Sequence, residues 1–95
     1  MEDLDNEIKD LKEWRKINKK LEKNFKFKDF VEAFSFVTKI ALIAEKMNHH
    51  PDIKITYNNV DIELTTHDIN GISRNDVSLA RKIDELLKIG ENIGR

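Results

Sequence analysis

The run from Phe30 to Met47 closes on Asn48-His49-His50-Pro51, and that proline, the chain's single one, constrains the fold more than any other residue. Proline lacks an amide hydrogen and disfavours helical geometry in the residue before it, so a helix passing through Met47 must end by His49. The start of the helix is marked as well. Asp29-Phe30-Val31-Glu32 has the spacing of a capping box, an oxygen acceptor with an acid three residues on. At about 100° per residue the apolar positions between Phe30 and Met47 cover roughly half of the helical wheel, while Val31 and Leu42 fall among polar residues. That arc is wider than one sheet-facing stripe needs. It fits a deeply packed central helix, or a helix whose surplus apolar surface meets a second subunit.

Beyond Pro51, Ile53, Ile55 and Tyr57 alternate with Lys54 and Thr56, and Val60, Ile62 and Leu64 alternate with Asp61 and Glu63. The intervening Asn58-Asn59 predicts a two-residue turn and therefore a hairpin. Such a loop sets Tyr57 against Val60, Ile55 against Ile62 and Ile53 against Leu64. Extended to the open end, the same count brings residue 50 opposite residue 67, so His50 and His67 are expected at one place. A second hairpin is predicted from Trp14 to Phe27, where Leu21, Phe25 and Phe27 share parity after a turn at Asn18-Lys19-Lys20.

The remaining segments read as helices. Leu4, Ile8 and Leu11 form a thin stripe within residues 1–13. Gly71 suits a backbone bend, and Ser73-Arg74-Asn75-Asp76 is another capping box. It opens a helix that buries Val77, Ala80, Ile83 and Leu87, with Leu79 and Leu86 alongside, and that is expected to stop at Gly90. The order α-β-β-α-β-β-α predicts an α+β fold, a four-stranded antiparallel sheet with helices packed on one face. With 95 residues and 39% hydrophobic content, the chain is expected to form a single domain over residues 1–95.

Composition narrows the function classes. A formal charge of −1, from 17 basic and 18 acidic residues, supplies no global field for nucleic acid or an anionic membrane, so neither is an expected partner. With no cysteine there is no disulfide, thiolate nucleophile or Cys-based zinc site. The acidic start Met1-Glu2-Asp3-Leu4-Asp5 lacks the basic flank and apolar stretch of a secretory signal, which makes a cytoplasmic location the expectation.

All three histidines lie in two short segments, His49-His50-Pro51 and Thr66-His67-Asp68-Ile69. Imidazole is the side chain suited to giving and taking protons near neutrality. Three neutral imidazoles could bind zinc with one position open, although adjacent histidines on an extended chain tend to point apart. Without a metal, one protonated and one neutral ring could perform general acid–base catalysis. No serine adjoins the histidines, so elimination, dehydration or tautomerisation suits the cluster better than acyl transfer.

Phe25-Lys26-Phe27-Lys28-Asp29-Phe30, Ala33-Phe34, Ala44-Glu45-Lys46 running into His49-His50-Pro51, Tyr57-Asn58 with Val60, and Thr66-His67 with Gly71-Ile72-Ser73 and Asp76 together resemble the pterin-4a-carbinolamine dehydratase family. The resemblance spans about Trp14 to Leu87. It implies a small cytosolic hydro-lyase, a 4a-hydroxytetrahydrobiopterin dehydratase, that turns 4a-hydroxytetrahydropterin into quinonoid dihydropterin and water with no metal or prosthetic group. By position, His49, His50 and His67 match the family's active-site histidines. His49 and His67 are assigned the proton transfers at the 4a-hydroxyl and the ring nitrogen, and His50 the holding of the pterin. Glu45, Pro51, Thr66, Asp68 and Ile69 match the segments that line the pterin site. Glu45 reads equally as a solvated surface residue. Asp76 matches a family aspartate, but its capping-box place accounts for it without chemistry.

The chain departs from the family at Asn48, where Asp is frequent; at Ile53, where animal members carry an aromatic; at Glu13, where Gly commonly precedes the Trp; and at Asn70, where a small residue is usual. Animal relatives also act as dimerisation partners of a homeodomain transcription factor through the central helix. A non-catalytic binding module is therefore the alternative function, and a homodimer or homotetramer through that helix is the expected assembly.

Overall fold

A computed structural model describes residues 4–93, with side chains through Lys88. Of the predicted N-terminal helical stretch, residues 1–3 lie outside the described residues. The elements are α1 (Leu4–Lys9), β1 (Arg15–Ile17), β2 (Lys20–Lys26), α2 (Phe30–Met47), β3 (Asp52–Thr56), β4 (Asn59–Leu64) and α3 (Arg74–Ile93), with a 3₁₀ turn at His67–Ile69. All pairings in the sheet are antiparallel, in the order β1-β2-β4-β3. This is the α+β architecture expected from the order of elements.

β4 is the spine of the sheet. It pairs on both edges, and its Val60, Ile62 and Leu64 are fully buried beside Leu21, Ile40, Leu79 and Ile83. The helices therefore cover one face. The other face carries Glu22, Asn24, Asp52, Lys54, Asp61 and Glu63 around an open trough of about 400 Å³. α2 buries Ala33, Phe36, Ile40 and Ala44 and leaves Phe30, Val31, Phe34 and Leu42 about half or more exposed. The wide apolar arc is thus only partly spent on the core.

The β3–β4 register differs from expectation. Thr56 pairs with Asn59, Ile55 with Val60 and Ile53 with Ile62, so the loop is Tyr57–Asn58, with Tyr57 at φ 54°. The cause is the neighbouring strand. Asn59 is needed in the β2–β4 ladder opposite Lys26, and Asn58 is tied twice to Phe27, its carbonyl accepting from Phe27 N–H and its Nδ2 donating to Phe27 O, both at 2.8 Å. Long-range pairing overrides the local turn preference of Asn-Asn, and Tyr57 takes up the left-handed strain. The count at the open end changes with it: Thr65, not His67, falls opposite His50, and Thr66 falls opposite His49.

Two further expectations are corrected. The left-handed residue of the bend is Asn70 (φ 52°), not Gly71, which pairs with Thr66 as a short bridge and has no positive φ. Asn tolerates that region, so Gly71 is not needed for it. The backbone of α3 continues through Gly90 to Ile93; a glycine in a helix costs roughly 1 kcal/mol relative to alanine, too little to end one by itself.

The first hairpin turns at Asn18-Lys19, both at positive φ (51° and 67°), the requirement of the two-residue loop whose twist matches the strands. Its β2 carries a polar residue on the core side. Lys23, in the Leu21–Phe25 row, has its side chain only 10% exposed and donates to Asp84 Oδ1 of α3 at 3.0 Å and to Lys12 O at 3.1 Å. The ammonium lies over the rings of Trp14 and Phe25, and Trp14 Nε1 donates to the other oxygen of Asp84 at 3.1 Å. α1 is tied to α3 through Glu7, bonded by Arg74 at 2.6 Å with Arg81 at 3.5 Å. The Arg74 hydrogen bond chiefly holds the Glu7 carboxyl below its ordinary pKa. The contribution of that tie is complete above the ordinary carboxylate pKa and is lost as pH falls through the lowered one.

Replacing Asp84 with alanine strands the Lys23 ammonium and the Trp14 N–H, and is expected to lower unfolding free energy in urea by about 1–3 kcal/mol. The double variant Lys23→Met/Asp84→Leu, which leaves no charge unpartnered, should recover part of that loss.

Candidate functional site

The site is built at a corner where three segments end. α2 stops in a left-handed cap: Asn48 has φ 54° and ψ 42°, and its N–H reaches Ala44 O and Glu45 O, while His49 N–H donates to Ala44 O at 3.0 Å. Asn and Asp are the non-glycine residues that enter this conformation most readily, so Asn48 keeps the backbone role open to the frequent Asp. From that cap His49 turns inward and His50 outward.

His49, with 12% of its side chain exposed, places Nε2 2.5 Å from Asp76 Oδ1. Asp76 is the one buried charged residue among the described residues, at 0% exposure. Its second oxygen, Oδ2, accepts from Thr66 Oγ1 at 2.7 Å and from Ser73 N–H at 2.8 Å. The bond from Ser73 N–H is the capping-box bond predicted for the start of α3. A capping box occupies one carboxylate oxygen, however, and the other is used by His49. Thr66 Oγ1 and Ser73 Oγ lie 2.6 Å apart, and Asn75 N–H donates to Ser73 Oγ at 3.3 Å. Asp76 thus joins the end of α2, the end of β4 and the first turn of α3.

His50 faces a different carboxylate. Its Nε2 lies 2.5 Å from Glu45 Oε1 at the surface, with side-chain exposures of 58% and 76%. Glu45 is a surface residue, as one of its two readings had it, and is at the same time the partner of His50. Pro51 is half-buried and leads into β3. His67, Asp68 and Ile69 make up the 3₁₀ turn and are all exposed. That turn is closed by Thr66 and Gly71, whose backbones exchange hydrogen bonds of 2.7 and 3.3 Å, with Thr65 Oγ1 donating to Gly71 O at 3.2 Å. His67 follows directly on Thr66, the residue that shares Asp76 with His49, but no hydrogen bond joins its side chain to His49 or His50 among the described residues. Neither the sheet-face trough nor a hollow of about 500 Å³ bordered by Ile43, Met47 and Leu86 includes a histidine. It is side-chain chemistry that marks the corner out. No three His, Asp or Glu side chains converge as a metal would require among the described residues.

The profile of the family described as Pterin 4 alpha carbinolamine dehydratase matches residues 1–86. The chain belongs to this family. A relative from Prochlorococcus marinus (strain NATL2A), provisionally named as a pterin-4-alpha-carbinolamine dehydratase, is 50% identical over 84 residues, 88% of each chain. One of the same provisional name from Sulfurisphaera tokodaii is 52% identical over 81 residues, 85% of this chain and 87% of the relative. Among solved structures, a transcriptional coactivator/pterin dehydratase from Brucella melitensis superposes with a TM-score of 0.83 at 39% identity, covering 86% of this chain and 89% of that one. A pterin dehydratase-like protein described as a RuBisCO assembly factor in the alpha-carboxysome shares the fold, with a TM-score of 0.65 at 24% identity.

The capping-box spacing accounts for Asp76 and Ser73 only as a cap. The available signal was that a carboxylate has two acceptor oxygens and a capping box uses one. Asp76→Ala leaves Ser73 N–H without its acceptor and His49 Nε2 without its partner, and is expected to cost about 1–3 kcal/mol in urea unfolding. Glu45→Ala, which breaks an exposed pair, should change stability by no more than about 0.5 kcal/mol in the same measurement.

Proposed function

We propose that the protein is a hydro-lyase that removes water from 4a-hydroxytetrahydropterin to give quinonoid dihydropterin by histidine acid–base chemistry. The observation that carries this reading is the buried Asp76 carboxylate, which holds His49 at 2.5 Å and also accepts from Thr66, the residue immediately before the turn that bears His67. A ring fixed by a carboxylate on one nitrogen is oriented to act through the other, the arrangement general acid–base catalysis needs. Family membership supports a pterin as the substrate class. In this reading His49 and His67 carry the two proton transfers, at the departing hydroxyl and at the ring N–H. His50, steadied by Glu45, holds the pterin beside Pro51, Asp68 and Ile69. Ile69, 59% exposed, is an apolar surface of the kind a flat heterocycle covers. The reaction asks for no cofactor.

A cytoplasmic setting belongs to the same reading. No helix among the described residues is long and apolar enough to cross a membrane, and a net charge of −1 names neither nucleic acid nor membrane as partner. The outer face of α2, with Val31 at 71%, Phe34 at 52% and Leu42 at 68% exposure, favours self-association into a homodimer or homotetramer. The same face, and the description of the Brucella relative as a transcriptional coactivator, support a second reading in which α2 docks a protein partner.

In a dehydration assay with 4a-hydroxytetrahydropterin, the wild type is expected to turn over, and His49→Ala and His67→Ala to fall by about 10²–10⁴-fold with folding intact. His50→Ala should act mainly on KM. Unchanged turnover in all three would exclude the imidazole mechanism. Leu42→Glu, exposed and so without cost to the core, is expected to convert an assembly to monomer by light scattering; a wild type already monomeric would remove the assembly claim.

A further inference from the structure

With the Asp76 carboxyl ionised, the hydrogen bonds around it run in one consistent direction. Thr66 has a single hydroxyl hydrogen and donates it to Asp76 Oδ2, so at the 2.6 Å contact Thr66 Oγ1 must accept and Ser73 Oγ must donate. Asn75 N–H in turn donates to Ser73 Oγ. The chain runs from Asn75 through Ser73 and Thr66 into Asp76, with Ser73 N–H arriving at the same oxygen. Every donor points at the carboxylate, as an ionised, acceptor-only group requires. The remaining oxygen, Oδ1, then also accepts, and the hydrogen of the 2.5 Å contact sits on His49 Nε2. The Nδ1 of the same ring has no hydrogen-bond partner among the described residues. His50 has no comparable anchor, since Glu45 is exposed and bonded to no other described side chain.

We infer that this one-way chain fixes His49 as the Nε2–H tautomer, so that the ring meets the pterin through an unprotonated Nδ1 and serves as the base, with Asp76, Thr66 and Ser73 as its positioning residues. The inference rests on the dehydratase reading for the identity of the substrate, but not for the tautomer. In the step it describes, the ring N–H proton of the carbinolamine passes to His49 Nδ1, and the N–H bonding pair becomes the new C=N bond. The C4a–O bond breaks with its electrons on oxygen, which takes a proton from the His67 imidazolium and leaves as water. His49 ends protonated and His67 neutral; once the product leaves, His49 Nδ1 gives its proton to solvent and exposed His67 takes one up, which restores the start. The Thr66 hydroxyl is then engaged within the protein rather than offered to the pterin.

The chain also predicts how it can be inverted. In Asp76→Asn, Thr66 and Ser73 N–H still donate to one position, which forces the amide oxygen there and turns the NH₂ toward His49 Nε2. That nitrogen must accept, and the hydrogen moves to Nδ1. Long-range ¹H–¹⁵N spectra of the full-length labelled protein should show His49 with Nδ1 unprotonated and Nε2 protonated in the wild type, and the reverse in Asp76→Asn. Turnover of the variant should drop by about 10²–10⁴-fold, chiefly in kcat. If Asp76→Asn does not fold, Thr66→Val and Thr66→Ser carry the test. The first loses the donor and should reduce kcat by about tenfold, the share of one hydrogen bond to a charged acceptor; the second keeps the donor and should restore it. A wild-type His49 protonated on Nδ1, an Asp76→Asn spectrum unchanged from wild type, or equal kcat in the two Thr66 variants would overturn the inference. A wild type with the expected tautomer but no dehydratase turnover would instead sink the substrate reading and leave the tautomer standing.

Discussion

A carboxylate shut away from water has to be surrounded by donors, and Asp76 recruits them from three parts of the chain that are otherwise independent. His49 comes from the end of α2, Thr66 from beyond β4, and Ser73 from the residue just before α3. None of these segments is regular where it meets the aspartate. The corner is nonetheless determined, because any departure would leave a buried charge short of a partner. The sheet brings the strand ends near one another; the aspartate decides how the side chains face.

The core rests on a different principle. β4 is paired along both edges and its alternate residues have no exposure, so the sheet beside it is held by burial and ladder bonds rather than by a specific polar contact. The Lys23–Asp84–Trp14 group is the exception. It sits on the helix-facing side of β2 and fastens α3 to the first hairpin. The ammonium is accommodated there by an acid, a carbonyl and two aromatic faces.

Much of this architecture is legible in the sequence. Both capping boxes, the helix end at His-His-Pro and the alternation of the two hairpins are local signals, and each appears in the structure where its residues stand. What could not be read involves contacts between segments. Asn58-Asn59 is the better turn by composition, yet Asn59 is paired with β2 and Asn58 is tied to Phe27 just beyond it, and Tyr57 bends instead. That Asp76 has an oxygen to spare is legible, but which residue takes it is not, because the partner lies 27 residues away. Lys23 carries the parity of a core position and the chemistry of a surface one, a conflict resolved only by Asp84. Glu13 illustrates the reverse case. It stands where the resembling family commonly has glycine, and its φ of 65° is the conformation glycine adopts without strain.

The slipped hairpin separates what the core can sense from what the corner can sense. Moving the loop back by one residue displaces β3 against β4 by two positions, about 7 Å along the ribbon. Ile53, Ile55, Val60 and Ile62 would keep the same side of the sheet, because the displacement is an even number. Hydrophobic packing is therefore nearly blind to that error, whereas the imidazole at 49 would be carried off its carboxylate. Fidelity of the turn is maintained for chemistry at the far end of the ribbon, and an asparagine with no place in the site is the residue that maintains it.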